Sequence, residues 1–282
     1  MPVLQLYRHG LTAGTPPRTN SHARAKRGDV GGWSKSSVRS NTEFLFSVDE
    51  SQLHGAGCAI TLTVRDCPDD AAEWHRIRIA FQKRLKRMGL IRQHWLTEWQ
   101  RRGVPHMHQA IWLPEPERDQ ASRFFGSIFD HWLELAEPFG ATLAGQHFSL
   151  IDNAIGWFKY QSKHSARGLH HYQRSPAGIP AGWRKTGRMW GKTGAWAIRE
   201  AMRFEVANET YWKFRRVVRS ARVADARAQR HKKGKRIRSA RRMLACPDRF
   251  LSSVRGVREW GELDDSLRVL AWLHAQGCTI SQ

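Results

Sequence analysis

The order of strand-like and helix-like segments between residues 58 and 151 most restricts what this chain can fold into. Alternating or β-branched apolar runs predict strands, and apolar residues at helical spacing predict helices. The predicted segments are, in order, a strand at 58–64, a helix that begins after Asp69 and Asp70 and ends at Gly89, strands at 94–100 and 106–113, a helix at 119–137 and a strand at 146–151. This order predicts the α+β class, with the β-α-β-β-α-β plan of a ferredoxin-like antiparallel sheet that has its helices on one face.

The segments before and after this core are expected to have different structures from each other. Residues 1–50 hold Gly, Pro, Ser, Thr and Arg with little periodicity, which predicts an extended or partly ordered arm. The core, at 51–170, ends with a third helix that Asp152 is expected to cap and that runs to about Ser165. Residues 171–282 are predicted to form a basic, mainly helical region, with loops and short strands at 168–196.

The charge of the chain points to a polyanionic partner. It has 47 Lys+Arg against 25 Asp+Glu, a formal net charge of +22, and residues 213–242 alone contribute 14 basic residues against one acid. Such a balance is typical of proteins that bind nucleic acid. No run of eighteen apolar residues indicates a membrane span, and the four irregularly spaced cysteines fit a reducing cytoplasm, which we expect to be that of a bacterial host cell.

A histidine pair forms the first candidate site. His106 and His108 alternate with Met107 in a predicted strand, so both imidazoles lie on one face. Pairing across the loop at 101–105 puts Glu98 opposite either His106 or His108, on that same face. Two imidazoles and a carboxylate suit Mg²⁺ or Mn²⁺, and by ligand type alone they also suit zinc. A chance pattern among 14 histidines is the competing interpretation.

A tyrosine on the third helix forms the second candidate site. Tyr160, Lys163, His164 and Arg167 share one helical face by their spacing, whereas Ile151, Ile155 and Phe158 would anchor the opposite face to the core. Nearby positive charge favours the phenolate, which is the nucleophilic form of tyrosine. The plain alternative is an ordinary surface tyrosine on an amphipathic helix.

Three motifs, in order along the chain, resemble a known family. They are the strand Ile60-Thr-Leu-Thr63, the histidine pair in Gly103-Val-Pro-His-Met-His108, and Tyr160-Gln-Ser-Lys163. The chain resembles HUH endonucleases, and more closely the replication initiators of filamentous bacteriophages and related rolling-circle elements. The resemblance covers residues 50–170, and the segments Gly187–Gly191 and Ile237–Met243 look similar to phage initiators as well.

The resemblance implies a metal-dependent nickase of single-stranded DNA that also transfers the strand. His106 and His108, with Glu98 as third ligand, would hold the ion, and Tyr160 would attack the scissile phosphate. Lys163 would stabilise the developing negative charge. A 5′-phosphotyrosine and a free 3′-hydroxyl would follow, for use by a host polymerase, with unwinding left to a host helicase. Only one tyrosine lies in this motif, so the chain looks like the single-tyrosine class.

Further basic and aromatic residues are expected to contact the DNA. The basic side chains are Arg167, Arg184, Lys185, Arg188, Lys192, Arg215, Arg216, Arg219, Lys232, Lys233, Lys235 and Arg236. Trp183, Trp190 and Trp196 could stack on unpaired bases, although core packing explains each one equally well.

Several alternatives stay open or are rejected at this level. Gly191-Lys-Thr193 lacks the spacing of a phosphate-binding loop, which excludes that kind of nucleotide site. His164, His170 and His171 could form a competing metal cluster, but no carboxylate or cysteine accompanies them. A transposase or relaxase with the same chemistry would show the same motifs. A non-catalytic nucleic-acid-binding module of the ferredoxin-like type is the alternative from another class.

Overall fold

The computed structural model divides the chain into two compact units. It describes residues 1–14, 31–166, 179–228 and 257–282, together with residues 234, 237 and 238. The central unit consists of residues 26–45 and 49–197, and the terminal unit consists of residues 1–25, 46–48 and 198–282. No helix in the described ranges is both long enough and apolar enough to cross a membrane.

Ten strands and six α-helices are delimited within the described residues. The strands are β1 (Val3–Tyr7), β2 (Gly10–Gly14), β3 (Ala56–Thr63), β4 (Arg92–Trp99), β5 (Pro105–Leu113), β6 (His147–Leu150), β7 (Trp190–Gly194), β8 (Met202–Val206), β9 (Val257–Trp260) and β10 (Ile280–Ser281). The helices are α1 (Lys35–Ser47), α2 (Ala71–Arg87), α3 (Ala121–Ala136), α4 (Ala154–Ala166), α5 (Asn208–Ala228) and α6 (Leu263–Ala275).

The sheet of the central unit has the predicted ferredoxin-like plan. Its strand order is β6-β3-β5-β4-β7, and every neighbouring pair is antiparallel. The first four strands, with α2 and α3, form the β-α-β-β-α-β series, so the predicted α+β class is confirmed. β7 extends the sheet at the β4 edge, with Trp190 paired to Leu96.

Helix α2 shows why these local predictions succeed. Asp70 accepts a hydrogen bond from the Glu73 backbone N–H at 2.7 Å, and the Glu73 carboxylate accepts one from the Asp69 N–H at 3.1 Å. The cap from Asp70 satisfies one of the donors that a helix start leaves unpaired, and Glu73 ties the preceding residue to the first turn in a variant of the capping box. The helix ends before Gly89, whose φ of 87° is reached at low cost only by glycine. The buried residues of α2 are Ala71, Trp74, Ile77, Phe81 and Leu85.

Both faces of the central sheet are covered. α2 and α3 pack on one face, where Trp74 and Trp132 meet edge to face with ring centroids 5.9 Å apart. On the other face, Asn41 of α1 hydrogen-bonds His94, and Phe158 of α4 contacts Trp112. The prediction that the helices lie on one face is therefore correct for α2 and α3. Helices α1 and α4 lie on the opposite face.

The terminal unit contains a second antiparallel sheet. Its order is β10-β8-β1-β2-β9, with α5 and α6 packed against it. Its buried apolar residues include Leu4, Leu6, Phe204, Phe214 and Leu273. Residues 198–282 therefore contribute strands as well as the expected helices.

The predicted N-terminal arm is wrong for the part of residues 1–50 that the structure describes. Residues 1–14 form the hairpin β1–β2, and residues 35–47 form α1. The alternation in Val3-Leu-Gln-Leu-Tyr7 is only five residues long, so it carries little weight by itself. Its partner strand β8 lies about two hundred residues away, with Leu4 opposite Phe204, and local patterns do not reveal such a pairing.

The cap of α4 also differs from the expected one. The predicted residue was Asp152, but it is the Asn153 side chain that accepts a hydrogen bond from the Gly156 N–H, at 2.9 Å. The helix starts at Ala154, one residue later than Asp152 would require. Boundary shifts of one residue are common where two neighbouring residues can both act as caps.

Candidate metal centre and nucleophile

The β4–β5 hairpin sets the register of the predicted metal ligands. The Gly103 N–H donates to the Gln100 carbonyl at 3.0 Å, and Gly103 has a φ of 76°, which closes the turn. Glu98 pairs directly with His106, so of the two predicted registers this one is formed. His108 lies two residues further along β5 and therefore on the same face.

The predicted side chains meet in one buried cluster. The Nε2 atoms of His106 and His108 are 2.9 Å apart, and the His108 Nε2 lies 3.8 Å from a carboxylate oxygen of Glu98. Within the described residues, these three offer ligand atoms that all lie within 4.8 Å of one another. Glu98 is completely buried, and the two histidines expose 7% and 5% of their surface. A buried carboxylate beside two imidazoles favours positive charge at this point, which a divalent cation would supply.

Thr61 on β3 orients one of these imidazoles. Its hydroxyl lies 2.9 Å from the His108 Nδ1, and the two residues are paired across neighbouring strands. When Nδ1–H donates to this hydroxyl, the lone pair of Nε2 is turned into the cluster. Thr61 belongs to the strand motif recognised in the sequence, where no role could be given to it. Knowledge of the strand register, which pairs Thr61 with His108, would have identified this role.

Helix α4 places Tyr160 beside the cluster. The tyrosine is 42% exposed, and its ring centroid lies 6.3 Å from that of His108. Trp157 stacks on the tyrosine ring at 5.2 Å with an interplanar angle of 29°. The helix is held to the sheet by Phe158, which is buried as expected. The Lys163 and His164 side chains fall outside the described part of the structure, as does Arg167.

A groove of about 390 Å³ opens next to the tyrosine. It lies over β3 and β6 at the start of α4, and exposed Leu150 contributes an apolar wall. Its lining residues are Ala59, Ser149, Leu150, Ile151, Asp152, Asn153, Gly156, Trp157 and Tyr160. The stacked Trp157–Tyr160 pair thus borders both this groove and the metal-type cluster. Neither Trp157 nor the groove was predicted from the sequence.

The predicted DNA contacts are distributed unevenly. Arg184, Lys185, Arg188 and Lys192 of the central unit are exposed, and the Lys192 ammonium lies 4.1 Å above the Phe44 ring. In the terminal unit, Arg216 is exposed and Arg219 is half-buried. Lys232, Lys233, Lys235 and Arg236 lie outside the described residues, as do His170 and His171 of the competing histidine cluster.

Arg215, which was expected to touch DNA, and Trp183, for which base stacking and core packing were both open, belong to the interior. Arg215 is 2% exposed, with its guanidinium 5.1 Å from the Trp212 ring and hydrogen-bonded to the Tyr211 hydroxyl. Trp183 is 1% exposed and donates its indole N–H to the Pro68 carbonyl at 2.8 Å. The prediction for Arg215 is wrong, because a basic residue in a polar stretch can still be the one that faces the core, whereas for Trp183 the alternative of core packing is confirmed. Trp190 and Trp196 are half-buried and contact Phe44.

Comparison with known proteins gives matches along the whole chain. The family model described as replication-associated protein ORF2/G2P matches residues 57–165. A provisionally named replication protein of Xylella fastidiosa strain 9a5c is 48% identical over 294 residues, which cover 100% of this chain and 99% of the relative. A second one, from strain Temecula1, is 50% identical over 93% of this chain and 100% of its own length. The replication-associated protein G2P of Pseudomonas phage Pf3 is 45% identical over 98% of this chain and 99% of its own. No solved structure matches.

Proposed function

Because this chain belongs to the replication-associated protein ORF2/G2P family, we propose that it starts rolling-circle replication by nicking one strand of origin DNA through Tyr160. The observation that carries the proposal is the position of an exposed tyrosine 6.3 Å, ring to ring, from a buried Glu-His-His cluster. A nucleophile and a site for a phosphate-binding cation are then close enough to act on one phosphodiester.

The reaction is a transesterification. The Tyr160 oxygen, after loss of its proton, attacks the phosphorus of the scissile phosphodiester. The new bond is a 5′-phosphotyrosine, the P–O3′ bond breaks, and the departing oxygen takes up a proton to become a free 3′-hydroxyl. The bond energy is kept in the phosphotyrosine, so a later 3′-hydroxyl can displace the tyrosine and close a circle without ATP. Lys163, one helical turn from Tyr160, would offset the negative charge that develops.

Glu98, His106 and His108 would hold Mg²⁺ or Mn²⁺. A bound ion of this kind supplies Lewis-acid polarisation of the scissile phosphate. The protein side chains set its place: β4 and β5 fix the three ligands on one face, and Thr61 orients His108. The mixed carboxylate and imidazole set fits either ion and leaves open positions for phosphate oxygens.

The groove beside Tyr160 would receive an unpaired nucleotide next to the cleaved bond. Its volume of about 390 Å³, its apolar wall and its stacked indole suit a base that has left a duplex. The similarity to replication proteins along the whole chain favours an initiator over a transposase or relaxase. A host helicase and a host polymerase would complete the cycle in the bacterial cytoplasm. The final joining step would reuse Tyr160 or take a second nucleophile from another molecule.

The test is formation of a covalent protein–DNA adduct. The purified protein is incubated with labelled single-stranded origin DNA and Mn²⁺, and the products are separated on a denaturing gel. We expect a protein-linked band that is absent with EDTA and in Tyr160→Phe, and weakened in His106→Ala. Tyr7→Phe is the matched control, because it removes a hydroxyl from a tyrosine of the terminal unit and should leave the band unchanged.

Two results would contradict the proposal. An adduct that survives in Tyr160→Phe would assign the nucleophile to another residue, and Tyr172→Phe would be tested next. Binding of origin DNA with no cleavage of any origin-derived strand would favour the non-catalytic binding module.

A further inference from the structure

Two arginines of the central unit, Arg78 and Arg188, repel each other electrostatically, and Arg78 lies on the face of the sheet that the metal-type cluster does not use. Arg78 is on α2, and Arg188 comes two residues before β7. The Arg78 guanidinium lies 4.0 Å above the ring of Trp95. Trp95 belongs to the core between the sheet and its two covering helices, α2 and α3. Glu98, His106 and His108 point to the opposite face, since side chains alternate along β4.

Arg78 is held in place without an acidic partner. It is half-buried, and its Nε is buried with no hydrogen-bond acceptor. In the described part of the chain, neither Arg78 nor Arg188 makes an ion pair or a side-chain hydrogen bond. Stacking on an indole fixes the guanidinium plane and leaves its outer N–H groups available for a ligand.

The backbone around Arg188 is fixed from both sides. The His75 Nε2 lies 2.7 Å from the Thr186 carbonyl, and a Cβ on Gly187 would lie only 2.8 Å from that same nitrogen. On the other side, the Met189 carbonyl accepts a hydrogen bond from the Thr97 N–H at 2.7 Å. His75 is one helical turn from Arg78, so these contacts hold the segment that carries Arg188 against the same helix as Arg78. The glycine at 187 allows this close approach and has a φ of 64°.

Two positive charges placed together raise the free energy of the protein without DNA. Burial and, as the smaller cause, the charge of Arg188 together lower the pKa of Arg78 to about 10. An anion between the two guanidiniums would remove this repulsion, and a fork of N–H donors matches phosphate oxygens well. The segment Gly187–Gly191 resembles phage initiators, but no role could be given to it from the sequence alone. Binding of an anion by Arg188 and Arg78 would be such a role.

We propose that Arg78 and Arg188 form a binding site for one phosphodiester of the DNA backbone, separate from the cleavage site. The proposal rests on the proposed function for its ligand, because a nicking enzyme has to hold DNA beyond the bond that it cuts. The two guanidinium groups would contact phosphate oxygens of the DNA backbone through their charge and their N–H donors. Binding at this site is therefore independent of the base sequence. It would anchor DNA at the β7 edge of the central sheet while the scissile phosphate lies on the other face.

The test measures DNA affinity against salt concentration in EDTA, with a DNA of arbitrary sequence, as a single strand and as a duplex. The variants are Arg78→Gln, Arg188→Gln and the double variant. Arg76→Gln is the matched control, since Arg76 is on the same helix, is exposed, and lies 3.9 Å from Glu73. We expect each single variant to weaken binding about tenfold, because a charge-assisted hydrogen bond to phosphate is lost.

The salt slope distinguishes a phosphate contact from a general loss of charge. The slope of log affinity against log salt should fall by about 0.7 for a single strand or about 0.9 for a duplex. If the slope changes only with single-stranded DNA or only with duplex DNA, that form of DNA is the one bound at this site. The double variant should weaken binding little more than either single one, because both arginines hold the same phosphate.

Equal weakening in Arg76→Gln, or an unchanged slope in both arms, would overturn the proposal. Arg188→Gln keeps the test valid if Arg78→Gln folds poorly, because Arg188 is exposed. EDTA prevents metal-dependent cleavage, so the result does not depend on Tyr160. Failure of the adduct test and failure of this one are therefore distinguishable.

Discussion

At the scale of single residues, the candidate site depends on side chains of common types that act through their position beside His108 and Tyr160. Thr61 is one of several threonines in β-branched runs, yet it is the one that contacts His108. Trp157 is one of 13 tryptophans and is the one stacked on Tyr160. Residue type and spacing were enough to predict Glu98, His106 and His108 together. They were not enough for Thr61 or Trp157, because strand register and helix rotation decide both.

Replacing Thr61 by valine should reduce the affinity for Mn²⁺ about tenfold, because outer partners of metal-binding histidines commonly contribute that much. Valine keeps the shape and removes the hydroxyl that lies 2.9 Å from the His108 Nδ1. Calorimetric titration of Mn²⁺ into each protein measures the effect, and Thr61→Ser should restore most of the affinity. Equal affinity in Thr61→Val and the parent would show that the hydroxyl does not orient a ligand.

Replacing Trp157 by alanine should weaken binding of short single strands that span the nick site by about 1–3 kcal/mol, the usual contribution of one stacked base. Trp157→Phe should retain much of the binding, since it keeps an aromatic face. The control is Trp272→Ala, which removes a 55% exposed tryptophan from the terminal unit. The measurement is fluorescence anisotropy with a labelled oligonucleotide. A loss of the same size in both alanine variants would show that the groove beside Tyr160 does not contribute specifically to binding.

At the scale of elements, patterns confined to neighbouring residues were predictable and pairings between distant ones were not. α2 begins with a capping box and buries a regular apolar stripe, so its bounds follow from the sequence. β1 and β2 are short, and they gain their stability from β8 and β9, at the other end of the chain. Arg215 shows the same limit within a helix, since a basic run does not reveal which of its members faces the core.

The packing of α1 on β4 creates a pH-dependent contribution to stability. His94 is completely buried, stacks on Phe44 and hydrogen-bonds Asn41 at 2.7 Å. Burial, and then the charge of Lys192, lower the pKa of His94 from 6.5 to about 3. Between these two pH values the unfolded chain binds a proton at this position and the folded chain does not. The contribution is therefore fully present above pH 6.5 and declines as the pH falls.

His94→Gln should remove this part of the pH dependence. The parent should lose up to about 1.4 kcal/mol of unfolding free energy per pH unit from this one group once the pH is below 6.5. Urea unfolding at several pH values from 7.5 to 5 would measure the difference between parent and variant. Parallel curves for the two proteins would mean that His94 takes up a proton in the folded state.

At the scale of the whole molecule, the charge of +22 is shared between two compact units. Composition alone was enough to predict a polyanionic partner. It was not enough to predict a second sheet, because net charge carries no information about chain topology. The site proposed at Arg78 and Arg188 belongs to the central unit, so DNA contacts are not restricted to the basic stretch at 213–242.

Metal binding should stabilise the molecule through the central unit, which contains all three candidate ligands. Mn²⁺ at one hundred times its dissociation constant should raise the unfolding free energy by about 2.7 kcal/mol. Proteolysis in the presence and absence of Mn²⁺, with fragments identified by mass, would show protection of peptides from 56–166. His106→Ala should abolish that protection. Protection confined to residues 198–282 would contradict the assignment of the ligands.

The position of β1 and β2 between β8 and β9 has a consequence for the way the protein is made. A ribosome releases the N-terminal hairpin first, with Leu4 already opposite Ala13, but the outer edge of β1 has no partner until β8 and its Phe204 have emerged. The central sheet has all five of its strands by residue 194, so the nascent chain can assemble the Glu-His-His cluster early. The hairpin has to wait, unpaired along both edges, through the synthesis of the whole central unit. Translation order therefore completes the sheet that carries the Glu-His-His cluster before it completes the second sheet.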